Sequence, residues 1–127
     1  MRALLDTSFF FATESGRPLA ELAGVTETEI SVVTLAELTV GVLMANDEDR
    51  PVRVATLSAV ESRWDPLPVD AEVARAFAGI VAALRAAGQR VPILDALVAA
   101  TAAVEQIPVV TQDGDYAVIP GVEVIRV

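Results

Sequence analysis

The sequence predicts an α/β fold in which a central, mainly parallel β-sheet is flanked by α-helices. Short apolar segments rich in β-branched residues alternate along the chain with longer segments of helical periodicity, a pattern typical of parallel-sheet proteins. The length of 127 residues fits one domain, and a hydrophobic fraction of 54% is sufficient for a packed core. We therefore expect a single domain that spans residues 1–127.

The first predicted elements lie on either side of Asp6. Residues 2–5 (RALL) form a short apolar run that predicts a buried strand, and residues 7–13 predict the first turns of a helix. Residues 16–18 (GRP) then interrupt regular structure, because glycine and proline both disfavour its continuation. Residues 28–33 (TEISVV) are short and β-branched, so they predict the second strand.

Two helices are predicted in the middle of the chain. Residues 34–45 have helical periodicity and end at a charged loop, residues 46–50 (NDEDR). The apolar stripe of this helix consists of Leu35, Leu38 and Val42. Pro51 suits the first position of a further helix that runs to about residue 64, because an amide N–H is not needed there.

The C-terminal half continues the alternation. Asp70 can cap a long helix that runs to about residue 87, and Gly88 is suited to end it. A further helix is predicted over residues 94–105. Residues 108–111 (PVVT) and 122–126 (VEVIR) predict the last two strands, and the DGD sequence between them predicts a turn.

Several residue types are absent, and their absence excludes some kinds of catalysis. The chain has no cysteine, which excludes disulfides, thiolate catalysis and Cys-ligated zinc, and it has no histidine to serve as a general base. All nine basic residues are arginine. Haloacid-dehalogenase phosphatases and response-regulator receivers also carry aspartates at strand ends, but both rely on a lysine. The lack of lysine therefore argues against these two classes.

The net charge of −9 is unusual for a protein that binds nucleic acid. An acidic balance can aid solubility, or it can reflect carboxylates gathered for hard cations, and composition does not decide between these two readings. No stretch between charged residues is longer than nine, which is too short for a transmembrane helix. Asp6 also interrupts the apolar run that a signal peptide would need. We therefore expect a cytoplasmic protein without membrane contact.

Four acidic residues occupy equivalent places in the predicted pattern. Asp6 lies at the carboxyl end of the first predicted strand, and Asp113 lies just past the strand over residues 108–111. Glu37 and Asp95 lie in the first turns of two predicted helices. Because sites in open α/β sheets form at the carboxyl ends of the strands, these four side chains can meet at one edge of the sheet.

Each of these acids also has a plain structural interpretation. Asp6 can cap the following helix, and Glu37 can reach back to the amide of Thr34 in a capping box. Asp95 can interact with a helix macrodipole, and Asp113 is a standard turn residue. Four carboxylates at one edge, however, would repel one another unless a divalent cation compensates their charge. Mg²⁺ or Mn²⁺ prefers such oxygen ligands, and carboxylate-bound cations support phosphoryl chemistry without histidine.

Four segments of the chain resemble the PIN-domain nucleases of the VapC toxin type. They are residues 4–8 (LLDTS), 31–41 (SVVTLAELTVG), 88–102 (GQRVPILDALVAATA) and 109–116 (VVTQDGDY). Their order and spacing agree with the family across nearly the whole chain. The resemblance implies a PIN-like fold and a Mg²⁺- or Mn²⁺-dependent endoribonuclease, the toxin of a type II toxin–antitoxin system that hydrolyses RNA phosphodiester bonds.

The resemblance also assigns roles to the four acids. Asp6, Asp95 and Asp113 match positions that bind the metal ion directly or through water. Glu37 matches a position that either binds the metal ion or orients the attacking water. All four are therefore candidate catalytic residues.

Three further residues match positions around these acids. Ser8 and Thr111 match hydroxyl groups that hold the acids or a metal-associated water. Asp115 matches a position where the family pattern is looser. A turn role is favoured for Asp115, with a fifth site acid as the alternative.

Partners are implied by the same resemblance. They are an RNA substrate, a second copy of the chain in a homodimer, and a cognate VapB-like antitoxin in a heterotetramer or larger assembly. Operator DNA would be contacted only through the antitoxin. The apolar side of residues 34–45, including Leu43, can form part of an antitoxin groove, or it can simply pack in the core.

Two further expectations concern RNA contact and an alternative function. An acidic protein can bind RNA only if arginines contact it. The candidates are Arg17, Arg85 and Arg90, and each of them can also be an ordinary surface residue. The alternative function is a catalytically silent PIN-fold module that binds a partner. Such a module would be expected to have lost part of the acid set, whereas all four acids are present here.

Overall fold

The computed structural model describes residues 1–127 and contains one four-stranded, fully parallel β-sheet. The strands are β1 (Arg2–Leu5), β2 (Glu27–Glu29), β3 (Val109–Thr111) and β4 (Val124–Arg126), in the spatial order β2-β1-β3-β4. Leu4 of β1 is in register with Val109 of β3. The predicted α/β class with a parallel sheet is confirmed.

Five helices surround the sheet. They are α1 (Thr7–Glu14), α2 (Val32–Met44), α3 (Arg50–Arg63), α4 (Ala71–Ala86) and α5 (Ile93–Glu105), and a short 3-10 helix covers Gly114–Val118. The DGD segment therefore begins a 3-10 helix, whereas the sequence predicted a simple turn. None of the helices combines the length and apolarity that a membrane span requires.

The core consists of two apolar clusters, because successive side chains of a strand point to opposite faces of the sheet. Leu4 and Val109 belong to the cluster that is completed by α4 and α5, with Leu84 among its members. Ala3 and Leu5 belong to the cluster that is completed by α1, α2 and α3. The sheet is thus covered on both faces, as a parallel sheet requires.

The predicted boundary between β2 and α2 is wrong. Residues 28–33 were expected to form a strand, but β2 ends at Glu29 and α2 begins at Val32. Ser31 is the N-cap, and its Oγ accepts a hydrogen bond from the amide of Val33 at 3.0 Å. Thr34 is therefore already inside the helix and fully buried, so the capping box between Thr34 and Glu37 does not form.

The two ends of α4 are set by local sequence, as predicted. The side chain of Asp70 accepts a hydrogen bond from the amide of Val73 at 3.0 Å. At the C-terminal end Gly88 has φ +69°, and the amide of Gln89 donates to the carbonyl of Leu84 at 2.8 Å. Together with the bond from the amide of Gly88 to the carbonyl of Arg85 at 3.1 Å, this bond forms a Schellman motif, in which glycine adopts the left-handed conformation at least cost.

The connections bring two helix ends to the carboxyl edge of the sheet. Helix α5 is followed almost directly by β3, which runs parallel to β1, so the first turn of α5 lies at the edge where these strands end. Helices α4 and α5 pack against each other. Because only residues 87–92 join them, the C-terminal end of α4 lies at this edge as well.

The outer strands of the sheet are short. Each of β2 and β4 has three residues, and β2 has the sequence Glu27-Thr28-Glu29. Trp64 lies beside β2 and donates from Nε1 to the carbonyl oxygen of Thr28 at 3.0 Å. Arg2 of β1 forms an ion pair with Glu29 at 3.1 Å.

Candidate active site

Asp6 is the most firmly held acid at the carboxyl edge of the sheet. It follows β1, is only 4% exposed, and caps α1. Its Oδ2 accepts hydrogen bonds from Ser8 Oγ at 2.7 Å, Thr111 Oγ1 at 2.9 Å and the Ser8 amide at 3.3 Å. Its Oδ1 accepts one hydrogen bond, from the hydroxyl of Tyr116 at 2.9 Å. Oδ1 is therefore the oxygen of Asp6 that keeps accepting capacity for another ligand.

The two hydroxyl groups predicted to support the acids join the ends of β1 and β3. Ser8 Oγ and Thr111 Oγ1 lie 3.1 Å apart. Ser8 Oγ also accepts from the amide of Gln112 at 3.0 Å, and Thr111 Oγ1 accepts from the amide of Asp113 at 2.8 Å. This network fixes the position of Asp6 relative to the segment that carries Asp113.

Tyr116 is a site residue that the sequence reasoning missed. Its ring is completely buried, and its hydroxyl donates to Asp6. Burial, followed by the negative charges of Asp6 and Asp95, raises the pKa of Tyr116 far above its ordinary value. The phenol therefore stays protonated and remains a donor. One signal was present in the sequence, since a tyrosine hydroxyl in a buried segment needs a polar partner.

Three aspartates form the part of the site that can hold a cation. Asp95, Asp113 and Asp115 each offer a carboxylate oxygen, and these oxygens all lie within 4.8 Å of one another. Asp113 caps the 3-10 helix, with Oδ1 accepting from the amide of Asp115 at 2.9 Å. Asp115 is exposed, but it lies within this group, although a turn role was favoured for it.

The charges around Asp95 show that all five acids converge. Its pKa is raised from an ordinary value of 3.8 to about 7, first by burial and then by repulsion from neighbouring carboxylates. In order of decreasing effect, those carboxylates are Asp6, Asp113, Glu37 and Asp115. None of the five forms an ion pair with an arginine. No basic side chain of the protein therefore neutralises the negative charge of the site.

Glu37 approaches the site from α2. Its Oε1 accepts a hydrogen bond from Thr7 Oγ1 at 2.7 Å, and Thr7 Oγ1 also lies 3.0 Å from Thr34 Oγ1. Burial is the main reason that the pKa of Glu37 is raised; the hydrogen bond from Thr7 opposes this effect, and the charge of Asp6 adds to it. The buried threonine pair thus holds Glu37 at the rim of the aspartate cluster.

The donor set fits Mg²⁺ or Mn²⁺. All candidate ligands are carboxylate oxygens, which hard divalent cations prefer. Oxygens bound to one Mg²⁺ at about 2.0–2.1 Å lie no more than about 4.2 Å apart, so the oxygens of the three aspartates, which lie within 4.8 Å of one another, need to approach by about half an ångström at most. The raised pKa of Asp95 reflects burial and repulsion between carboxylates, and a bound cation would relieve this repulsion.

All seven predicted site residues lie in one connected group. They are Asp6, Ser8, Glu37, Asp95, Thr111, Asp113 and Asp115. The three arginines considered for RNA contact lie outside it: Arg17 donates to Ser15 Oγ at 3.1 Å, whereas Arg85 and Arg90 are exposed.

Comparison with known proteins defines the class to which this fold and site belong. The family model described as PIN domain matches residues 3–122, so the chain belongs to the PIN-domain family. Within this family it is of the VapC type, as the following relatives show.

Two curated relatives and one solved structure are similar over almost the whole chain. Ribonuclease VapC4 of Mycobacterium tuberculosis is 44% identical over 126 residues, which cover 99% of this chain and 97% of the relative. Ribonuclease VapC5 of the same organism is 48% identical over 128 residues, with 98% and 94% covered. The crystal structure of VapBC-5 from M. tuberculosis, a member of the VapBC family of toxin-antitoxin systems, matches with a TM-score of 0.90 at 42% identity and covers 99% of this chain and 98% of that one.

Proposed function

We propose that this protein is a divalent-metal-dependent endoribonuclease, the toxin of a type II toxin–antitoxin pair. The observation that carries the proposal is the group of five carboxylates at one sheet edge, which raise the pKa of Asp95 to about 7 and have no basic partner. Such a group is costly in an apo protein, and it becomes favourable when a cation is bound. Its cost is therefore best explained by a catalytic use.

The residues divide the work as follows. Asp95, Asp113 and Asp115, together with Oδ1 of Asp6, would hold Mg²⁺ or Mn²⁺. When bound, the cation supplies Lewis acidity and charge neutralisation for attack of water on an RNA phosphodiester. Glu37 lies at the rim with a raised pKa, which suits a group that accepts a proton from, or orients, the attacking water.

The alternative of a catalytically silent binding module has less support. Such a module has no need to keep the repulsive carboxylates together, and loss of the Asp95 charge would stabilise the fold. Here Asp6 is instead held by four hydrogen bonds and Glu37 by one. An ordered but uncompensated acid cluster favours the nuclease.

The proposed antitoxin partner is VapB-like and binds an exposed apolar surface on α2 and α3. Leu38 of α2 is buried in the core, but Leu43 is 75% exposed and Met44 is 82% exposed. Val40 of α2 and Val52 of α3 are exposed as well. Exposed apolar residues gathered in this way are typical of protein interfaces. The N-terminal half of α2 therefore packs in the core, and the C-terminal half is available to a partner.

The remaining parts of the proposal concern assembly and location. The chain forms a homodimer, and with its antitoxin it forms a heterotetramer or larger complex in the cytoplasm. Operator DNA is bound through the antitoxin.

The experiment that tests the proposal is RNA cleavage by the purified protein with Mn²⁺ and total RNA, followed by end mapping. Chelation with EDTA should stop cleavage, and added Mn²⁺ or Mg²⁺ should restore it. Asp6→Asn should abolish cleavage and relieve growth inhibition, because the variant cannot present a charged Oδ1. Asp65→Asn, an exposed acid away from the site, is the matched control and should cleave like the unaltered protein. Cleavage that survives EDTA, or that Asp6→Asn retains, would remove the metal site from the mechanism.

A further inference from the structure

A groove lies between the C-terminal end of α4 and the first turn of α5, beside the acid cluster. It has a volume of about 560 Å³, which is within the range of pockets that bind small ligands. Its apolar walls include Leu84, Val91, Ile93 and Ala96, and no acidic residue lines it. In a protein of net charge −9, this is a local exception to the acidic surface.

Two arginines, Arg85 and Arg90, lie at this groove and have no partner within the protein. Neither forms an ion pair or a side-chain hydrogen bond, and both are exposed. Six of the other arginines contact acids, hydroxyl or carbonyl oxygens, or aromatic rings: Arg2, Arg17, Arg50, Arg53, Arg63 and Arg126. The guanidinium groups at the groove are therefore available to an anionic ligand.

The groove opens at the same edge of the sheet as the acid cluster. Ile93 and Ala96 line it, while Asp95, in the same helical turn, is repelled by the other site acids. One turn of α5 thus separates the groove from the candidate cation site. A linear ligand that is cut at the acids must leave the site on one of two sides. One side runs along the first turn of α5, where the groove lies, and the other runs away from it.

The groove is preformed. Leu84 and Ala96 at its base are buried, and the Schellman motif at Gly88 fixes the course of the chain between α4 and α5. A rigid apolar recess with charged groups at its rim can bind a ligand with little loss of protein conformational entropy.

We infer that this groove is a subsite for single-stranded RNA next to the point of cleavage. This inference rests on the proposed nuclease function. Arg85 and Arg90 contact phosphate groups, and an unstacked base packs on the apolar wall formed by Leu84, Val91 and Ala96. Single-stranded RNA is the occupant whose chemistry fits, because it combines repeated negative charge with exposed flat apolar rings.

The test measures RNA binding separately from cleavage. A fluorescein-labelled single-stranded 12-nucleotide RNA is titrated in EDTA, and binding is followed by fluorescence anisotropy at several salt concentrations. Arg85→Gln and Arg90→Gln should each weaken binding about fivefold, and each should lower the slope of log affinity against log salt by about 0.7. Arg75→Gln removes one exposed, unpaired arginine from the same helix α4, away from the groove, and should leave both quantities unchanged.

A second variant tests the apolar wall. Val91→Thr keeps the size of the side chain but makes this part of the wall polar, and circular dichroism checks that it folds. It should weaken RNA binding without changing the salt slope, because no charge is removed.

The outcomes distinguish this inference from the nuclease proposal. If RNA binds and depends on Arg85 and Arg90 but is not cut with Mn²⁺, the nuclease proposal fails and the subsite remains. If RNA is cut but both arginine variants bind it as tightly as Arg75→Gln, the subsite is wrong. The subsite is also wrong if a hexaglutamate peptide, and not RNA, loses affinity in the variants, because the occupant is then an acidic protein segment.

Discussion

Asp95 gives the most direct physical test of the acid cluster, because its charge should destabilise the metal-free protein. Its pKa in the folded protein is about 7, compared with an ordinary value of 3.8. A folded-state pKa above the unfolded value means that the folded protein binds the proton more tightly. The stabilising contribution is therefore complete below about pH 4 and is lost as the pH rises to about 7 and above. Asp95→Asn has no such loss, because the amide does not ionise.

The magnitude follows from the two pKa values. At 1.36 kcal/mol per pKa unit, the difference between 3.8 and about 7 corresponds to about 4 kcal/mol. Asp95 is only half-buried, so water and salt screen the repulsion, and we expect about 1–2 kcal/mol. For a domain of this size, that free energy corresponds to a change of about 3–8 °C in melting temperature.

Thermal unfolding in EDTA, followed by circular dichroism between pH 5 and pH 8, measures this effect. Asp95→Asn should melt about 3–8 °C above the unaltered protein at pH 8, and the difference should shrink toward pH 5. Added Mn²⁺ should raise the melting temperature of the unaltered protein more than that of the variant, because bound metal stabilises by mass action. Asp65→Asn controls for the loss of one exposed charge. A variant that melts no higher than the unaltered protein at pH 8 would refute the reasoning.

Three further predictions concern the site and its frame. Tyr116→Phe removes one hydrogen bond to the candidate metal ligand Asp6. RNA cleavage should fall about tenfold, and half-maximal activity should need more Mn²⁺. An unchanged Mn²⁺ requirement would mean that the hydroxyl has only a structural role. Asp113→Asn should reduce cleavage much more than Asp115→Asn, because Asp113 is half-buried and Asp115 exposed, and equal losses would contradict this ranking. Gly88→Ala should lower the free energy of unfolding, measured with urea, by about 1 kcal/mol, because Gly88 has φ +69°. Gly79→Ala within α4 should raise it by about 0.5–1 kcal/mol, because alanine favours the helix and has room there. The same sign for both variants would count against the assigned backbone conformations.

The alternation of strands and helices could be predicted from the sequence because the positions of the apolar residues show which segments are buried. Leu4 and Val109 lie in one core cluster, and Ala3 and Leu5 lie in the other, so residues 3–5 of β1 must all be apolar. Such a continuous apolar run is typical of a strand covered on both faces.

The start of α2 could not be predicted in the same way. Val32 and Val33 are β-branched and favour a strand by local propensity. The structure instead starts the helix at the cap provided by Ser31, and the amide of Val32 donates to the carbonyl of Leu67 at 3.0 Å. That hydrogen bond joins distant parts of the chain, so the tertiary context decides the boundary.

The acids of the site could be predicted because each lies near the end of a strand or the start of a helix. The contact between Tyr116 and Asp6 joins residues 110 positions apart, so the sequence indicates that a buried tyrosine needs a polar partner but not which residue it is. The same holds for Arg85 and Arg90, which acquire a common setting only when α4 and α5 pack together. Several acids at equivalent positions in the strand and helix pattern can thus be predicted from a sequence, whereas a contact between two residues far apart in the chain cannot.

The outer strands of the sheet affect the tendency of the protein to aggregate. An open strand edge offers unpaired amides and carbonyls to other molecules and can seed fibril-like aggregation. Here β2 is three residues long, two of them are glutamate, and Trp64 already occupies the Thr28 carbonyl. Neighbouring copies would bring like charges together along such an edge. The β2 edge is thereby protected against sheet-to-sheet growth without any contribution from the core.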